Sequence, residues 1–310
     1  MEFESKDFKD QIALLRERGM EFKKPDKAEN TLHYISYYKI KEFAEPFVKV
    51  VDGKKVYQEI TFEEVIERYY RDKNLRLHIL HAIEDIEVAL QTQIAYNLGK
   101  NTGAYGYLRI NNWADFNNFS RKKLTKRQEK IKSRIKEQVR IARSNPDNYK
   151  ELINKLQTNE ENDYPPIWLG INLLMFGNLV YMLEVMNNRN KKPIANYFDC
   201  STAELYSWMR ILNLVRNKSA HNSNFIDMKF ITSPPIRDEW RQFLFMKDDH
   251  LFTDRISIPI IIIKHFMNQI NYNYRFDSIK RVLFNLIKTD KEAQYYGFAS
   301  KKAVHELFRK

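Results

Sequence analysis

A single cysteine, Cys200, excludes an internal disulfide and any multi-cysteine zinc site, and it fits a reducing cytosol. Glycine and proline are scarce, with 8 and 9 residues in 310. That scarcity argues against a turn-rich β-sandwich and suits helices joined by few long loops. Long hydrophobic runs are missing. The longest aliphatic stretch, Ile256 to Ile263, is interrupted by Ser257 and Pro259 and stops at Lys264, far short of the roughly 20 apolar residues that span a bilayer. The opening Met1-Glu2-Phe3-Glu4-Ser5-Lys6 lacks the basic-then-apolar order of a signal peptide. The expectation is a soluble, cytoplasmic protein without a membrane partner. No Gly-rich phosphate loop, His-x-x-x-His pair or Ser-centred elbow occurs, so NTPase, zincin and hydrolase chemistries have no starting point. Neither a metal nor a cofactor is expected.

What the chain does contain is core material and positive charge. Hydrophobic residues make up 43% of it, with 20 Phe, 18 Tyr and 4 Trp, which excludes disorder over most of the length. Lys and Arg total 52 against 40 Asp and Glu, a formal charge of +12. A basic excess favours a polyanionic partner through counterion release, against the plainer alternative of a Lys-rich soluble protein.

Helical periodicity runs through most of the sequence. Ser5 is placed to cap a first helix with Phe8, Ile12 and Leu15 inward, closed by Gly19, and Pro25 opens a second carrying Leu32, Ile35 and Tyr38. Alternating residues on either side of Asp52-Gly53 predict a small hairpin over 47–57. Thr61 with Glu64 forms a capping box that starts a long helix through Ile79, Ile83 and Leu90 to about Gly99. Residues 121–143 read as a basic helix and Glu160 to Asp163 as a hydrophilic loop. Pro165-Pro166 then open an apolar helix from Ile167 to Met186, and a further helix runs from about Thr202 through His221. The fold expected is mainly α, with residues 1–60 as an N-terminal accessory region and 61–310 as the helical body, or one continuous domain.

Arg216-Asn217-Lys218-Ser219-Ala220-His221 is the most informative hexapeptide. On a helix Asn217 and His221 share a face, and the long Arg216 guanidinium can swing toward the imidazole. The pair would supply a permanent cation for phosphate and a group that titrates near neutral pH. Cleaving RNA without a metal needs those two parts. The plainer reading of His221 is a helix-terminal histidine bonded to a carbonyl. A second Arg-x4-His, Arg76 to His81, lacks the Asn and is read as coincidence.

Between Arg121 and Arg143 there are 11 Lys or Arg against 2 Glu. Leu124, Ile131, Ile135 and Val139 mark a buried stripe, which leaves a positive rod suited to folded RNA. Arg121, Lys122, Lys123, Lys126, Arg127, Lys130 and Arg134 are the RNA-binding candidates, against the alternative of a solvated charged face. Tyr34 and Tyr38 are read as core, with Tyr37 as a residue that could stack bases. Trp168, Met175 and Phe176 are read as core too.

Arg-Asn-x-x-Ala-His resembles the signature of HEPN domains, helical bundles found in defence and toxin ribonucleases. The wider pattern is similar to the Abi-like abortive-infection family that includes AbiD and AbiF. The matching segments are Gln11 to Gly19, Tyr34 to Ile40, Thr61 to Ile66, Ala82 to Glu87, Tyr105 to Leu108, Pro165 to Trp168, Phe176 to Leu179 and Arg216 to His221. They follow the family's order over roughly residues 8–290. After His221 the family often continues with His, Arg-Leu and Trp-Asn, whereas this chain reads Asn222-Ser223-Asn224-Phe225-Ile226-Asp227.

The resemblance implies a HEPN-like helical bundle and metal-independent RNA cleavage to a 2′,3′-cyclic phosphate and a 5′-hydroxyl, with a catalytic group of Arg216, Asn217 and His221. Glu87 is implied as an acidic residue orienting Arg216 or His221, with Glu84 on the same helical face. It also implies a toxin restrained by a small structured noncoding RNA, acting as a homodimer or an RNA-bridged assembly in phage defence. The alternative is a non-catalytic RNA-binding module of a defence ribonucleoprotein.

Overall fold

Thr61 and Glu64 start the element around which the molecule is built. Thr61 Oγ1 accepts from the Glu64 amide while the Glu64 carboxylate accepts from the Thr61 amide at 2.9 Å. The helix that follows, Phe62–Thr102, is 41 residues long, or about 60 Å at 1.5 Å per residue. It contains no proline, and its one glycine, Gly99, lies in the last turn. Its buried residues Leu75, Ile79, Ile83, Ile86, Leu90, Ile94 and Leu98 recur at spacings of three and four, so one stripe faces the core along most of its length.

The computed structural model describes residues 5–157 and 164–309. The expected loop at Glu160 to Asp163 and the residues Met1 to Glu4 lie outside those described. In chain order the helices are α1 (Phe8–Glu17), α2 (Pro25–Leu32), α3 (Tyr37–Ala44), α4 (Phe62–Thr102), α5 (Arg121–Ser144), α6 (Lys150–Gln157) and α7 (Ile167–Gly170). They continue with α8 (Phe176–Val185), α9 (Asn188–Tyr197), α10 (Thr202–Ala220), α11 (Ser257–Ile270), α12 (Asp277–Leu286), α13 (Asp290–Tyr295) and α14 (Lys301–Leu307). The described strands form two hairpins, β1 (Val48–Val51) with β2 (Lys54–Tyr57), and β3 (Met246–Lys247) with β4 (His250–Leu251). The protein is mainly α. Helices α3, α7, α8, α9, α10, α11 and α12 all pack on α4, and buried apolar residues from Ile12 to Leu307 form one core. No helix among the described residues is long and apolar enough to cross a membrane.

The first hairpin turns at Asp52 and Gly53, both at positive φ (48° and 74°), as a two-residue primed turn requires. Gly19 has φ 87°, and a Cβ there would come within 2.8 Å of the Tyr57 carbonyl oxygen, so glycine is what lets α1 close against β2.

Three expectations are corrected. The first helix is capped by Asp7, whose carboxylate accepts from the Asp10 amide at 2.8 Å, and Ser5 lies outside it. The helix opened by Pro25 stops at Leu32, and a new one starts after the cap residue Ser36. That break resets the phase, so Tyr34 and Tyr38 are 66% and 76% exposed and Tyr37 is the half-buried one. The apolar stretch from Ile167 to Met186 is likewise two helices, because Leu174 and Met175 are extended. Phe176 is buried as expected, but Trp168 and Met175 are exposed.

Candidate nucleic-acid site

Helix α10 positions the hexapeptide. Ser201 and Glu204 form its capping box, with Ser201 Oγ accepting at 3.2 Å and the Ser201 amide donating to Glu204 at 2.7 Å. Leu205, Trp208, Met209, Leu212 and Val215 are fully buried, which fixes the rotation of the helix and hence where its last turn points. Asn217 is exposed there. His221 is the C-cap residue; its amide donates to the Asn217 carbonyl at 3.0 Å. The imidazole is exposed and has no hydrogen-bond partner among the described residues. The plainer reading, a ring bonded to a carbonyl, is therefore not what the structure shows.

Arg216 turns the other way. At 100° per residue it lies about a quarter turn from Asn217 and roughly 140° from His221. Its Nε is 3.8 Å from Glu87 Oε2 of α4. The Glu87 side chain is mostly buried, and the Phe176 amide at the start of α8 is among the groups that pull its carboxyl down. Burial pushes its carboxyl above the usual range, against the pull of Arg216 and that amide, with the Glu84 charge adding a further push upward. Glu84 itself is exposed and does not enter the bundle. The structure thus brings Arg216 and Glu87 together and places Asn217 and His221 on a neighbouring face.

The segment after His221 is anchored by residues that the sequence reading did not single out for a role. Asn222 sits at φ 55°. Arg76, 5% exposed, donates to the Ser219 carbonyl at 3.1 Å and to Asn222 Oδ1 at 2.7 Å. Its Nε pairs with the fully buried Asp72 at 2.6 Å, and Asp72 Oδ1 accepts from the Phe225 and Ile226 amides at 2.8 and 3.0 Å. Burial pushes the Asp72 carboxyl upward, while Arg76 and the two amides pull it down. From α3, Lys39 donates to the Asn222 carbonyl at 2.9 Å and Glu42 accepts from the Asn224 amide at 3.1 Å. Asp227 pairs with Arg68 and accepts from Tyr295 at 2.8 Å. The only sequence signal for this clamp was an Asp-x3-Arg pair embedded in a buried helical stripe. His81, five residues from Arg76, is exposed and lies near Tyr274 instead.

Helix α5 forms over the residues expected, with Ser120 as its cap. Leu124, Ile131, Ile135 and Val139 are buried. Arg121, Lys122, Lys126 and Lys130 are exposed. Three other candidates are already engaged. Lys123 and Arg127 both pair with Glu184 of α8, at 2.8 and 2.7 Å, and Arg134 pairs with Glu137 at 2.8 Å. The Arg127 guanidinium also lies 4.1 Å from the centre of the Tyr181 ring.

Fold and site together define a mainly α-helical protein with an exposed Asn-His face at a helix end, beside an arginine–glutamate pair. Residues 30–227 match the model of the Abi-like protein family. The chain belongs to that family, and membership supports a role in abortive infection, a phage-defence response. No curated protein and no solved structure matches it.

Proposed function

We propose that the protein is an RNA-binding, metal-independent endoribonuclease of the HEPN type that acts as the toxin of an abortive-infection response. The observation that carries this reading is His221: an exposed imidazole without a hydrogen-bond partner among the described residues, one helical turn from Asn217, in a chain of this family. Histidine is the side chain most often used to take and give protons in catalysis. Arg216, 37% exposed and held by Glu87, is the cation for the phosphate.

In the reaction proposed, a 2′-oxygen of RNA bonds to the adjacent phosphorus and the bond from phosphorus to the 5′-oxygen breaks. The 2′-hydroxyl proton leaves to a base and the 5′-oxygen takes up a proton, giving a 2′,3′-cyclic phosphate and a 5′-hydroxyl. His221 serves in proton transfer, while Arg216 stabilises charge on the phosphoryl oxygens. Because Arg216 and His221 project to different faces of one helix, a homodimer or an RNA-bridged assembly in which two copies complete a site fits the arrangement. A structured noncoding RNA held on α5 is the restraining partner in this reading.

The test is incubation of the purified protein with cellular RNA, followed by end analysis. Fragments with cyclic phosphate ends that disappear with His221→Ala support the reading. Bound but uncut RNA with both the parent and the variant would make the protein a binding module instead.

A further inference from the structure

We propose that a groove between α5, α8, α10 and residues 223–232 binds single-stranded RNA, with bases laid on its apolar and aromatic wall and phosphates on Arg210, Lys218 and Lys229. This rests on the RNA-binding reading and goes beyond it by naming the state of the RNA and the surface that takes it. The groove encloses about 890 Å³ and includes Asn217 of the hexapeptide in its lining. Helix α10 contributes Tyr206, Arg210, Leu214 and Asn217, spaced four, four and three residues apart, so one stripe of the helix forms the floor.

The charge of the groove is uncompensated on one side only. Its two carboxylates are already engaged: Glu184 by Lys123 and Arg127, and Glu42 by Lys39 at 2.6 Å. Its cations Arg210, Lys218 and Lys229 are exposed and have no ion-pair or hydrogen-bond partner among the described residues. Cations left free beside neutralised carboxylates make a surface for a polyanion.

The groove also offers contacts that phosphate alone does not need. Tyr181 is 42% exposed with Arg127 packed on its ring, and Ile231 is 102% exposed at the lip. A duplex hides its base faces and presents phosphates and sugar edges, whereas unpaired bases expose faces that stack on aromatic rings and guanidinium planes. An apolar and aromatic wall beside free cations therefore fits a single strand better than a duplex or a bare polyanion. The strand would pass Asn217 and approach His221, which lies one turn further along the same face.

The test uses the full chain and a labelled 2′-O-methyl oligoribonucleotide, which has no free 2′-hydroxyl and so is not cut by the proposed chemistry. Its duplex and a polyglutamate peptide serve as competitors, and binding is followed by fluorescence anisotropy over a range of salt. The single strand is expected to bind best. Arg210→Ala with Lys229→Ala should weaken it at least about ten-fold and lower the salt slope by about 1.4, two contacts at roughly 0.7 each. Tyr181→Leu should weaken it about ten-fold with the slope unchanged. Thermal melts must match the parent; where Tyr181→Leu does not, the Arg210/Lys229 double variant decides. A folded Arg210/Lys229 variant with parental affinity, or a duplex or polyglutamate that competes equally well, overturns the groove. If the parent binds RNA in that case and Lys122→Ala with Lys126→Ala abolishes it, the broader RNA-binding reading survives. If the parent binds none of the RNAs, both fall.

Discussion

Arg76 Nη1 donates to the Ser219 carbonyl at 3.1 Å, two residues before His221, while its Nε pairs with Asp72 on the same helix at 2.6 Å. A buried charge pair on α4 therefore holds the end of α10 on which the candidate site sits. Removing one member of a buried pair leaves the other charge unsatisfied and costs about 3–5 kcal/mol. Arg76→Leu and Asp72→Leu should each lower stability by that amount in denaturant melts. Combining them should cost less than their sum, because both charges then vanish. Strict additivity would show that the two charges do not depend on each other.

Glu87 gives stability a pH dependence of known sign. Burial raises its folded-state pKa above the ordinary 4.5, so the folded protein keeps the proton to higher pH than the unfolded chain. Stability from this group is present below 4.5 and is lost as pH rises through the raised value. Glu87→Gln should therefore melt higher than the parent at pH 7, with the gap closing toward pH 4.5. A variant less stable at pH 7 would mean that Arg216 outweighs burial.

Much of the fold was legible because it is locally encoded. The capping boxes at Thr61 and Ser201, the Asp52-Gly53 turn and the long proline-free stretch after Phe62 each specify structure within a few residues. Two of the three errors share one cause. Extended residues at Ser36 and Met175 break the helix and reset its phase, so Tyr38, Trp168 and Met175 were assigned to the wrong face. The hexapeptide was legible as a motif, and so was the nearness of Arg216 to Glu87, through the family resemblance. Long-range pairing was not. Nothing near Lys123 or Arg127 announces Glu184, about sixty positions away, and nothing near His221 announces Lys39 or Arg76.

The outer face of α5 and the groove should separate in binding. Lys122, Lys126 and Lys130 are exposed and carry no groove contact. Replacing all three with Ala should weaken structured and unstructured RNA alike, and flatten the salt slope by roughly 2 for single strands. An unchanged slope would remove this face from the interface.

Cleavage should persist in EDTA, since Arg216 and His221 supply charge and proton transfer in the proposed reaction. Activity lost in EDTA and regained only with a divalent ion, on RNA whose fold is unaffected, would overturn that chemistry.

His221→Ala and Arg216→Ala should differ in a way that reports their separate surroundings. His221 is exposed and makes no side-chain hydrogen bond among the described residues, so its removal should leave the melt and RNA affinity unchanged while lowering the cleavage rate roughly 10²–10⁴-fold. Arg216 faces Glu87, so truncating it removes a phosphate contact and also leaves a mostly buried carboxylate without its cation. Rate, affinity and stability should all fall, and the stability loss should shrink at low pH, where Glu87 is protonated. Adding Glu87→Gln to Arg216→Ala should then restore the melt without restoring cleavage. Cleavage restored along with the melt would make Arg216 a structural partner of Glu87 and leave the phosphate without its proposed cation.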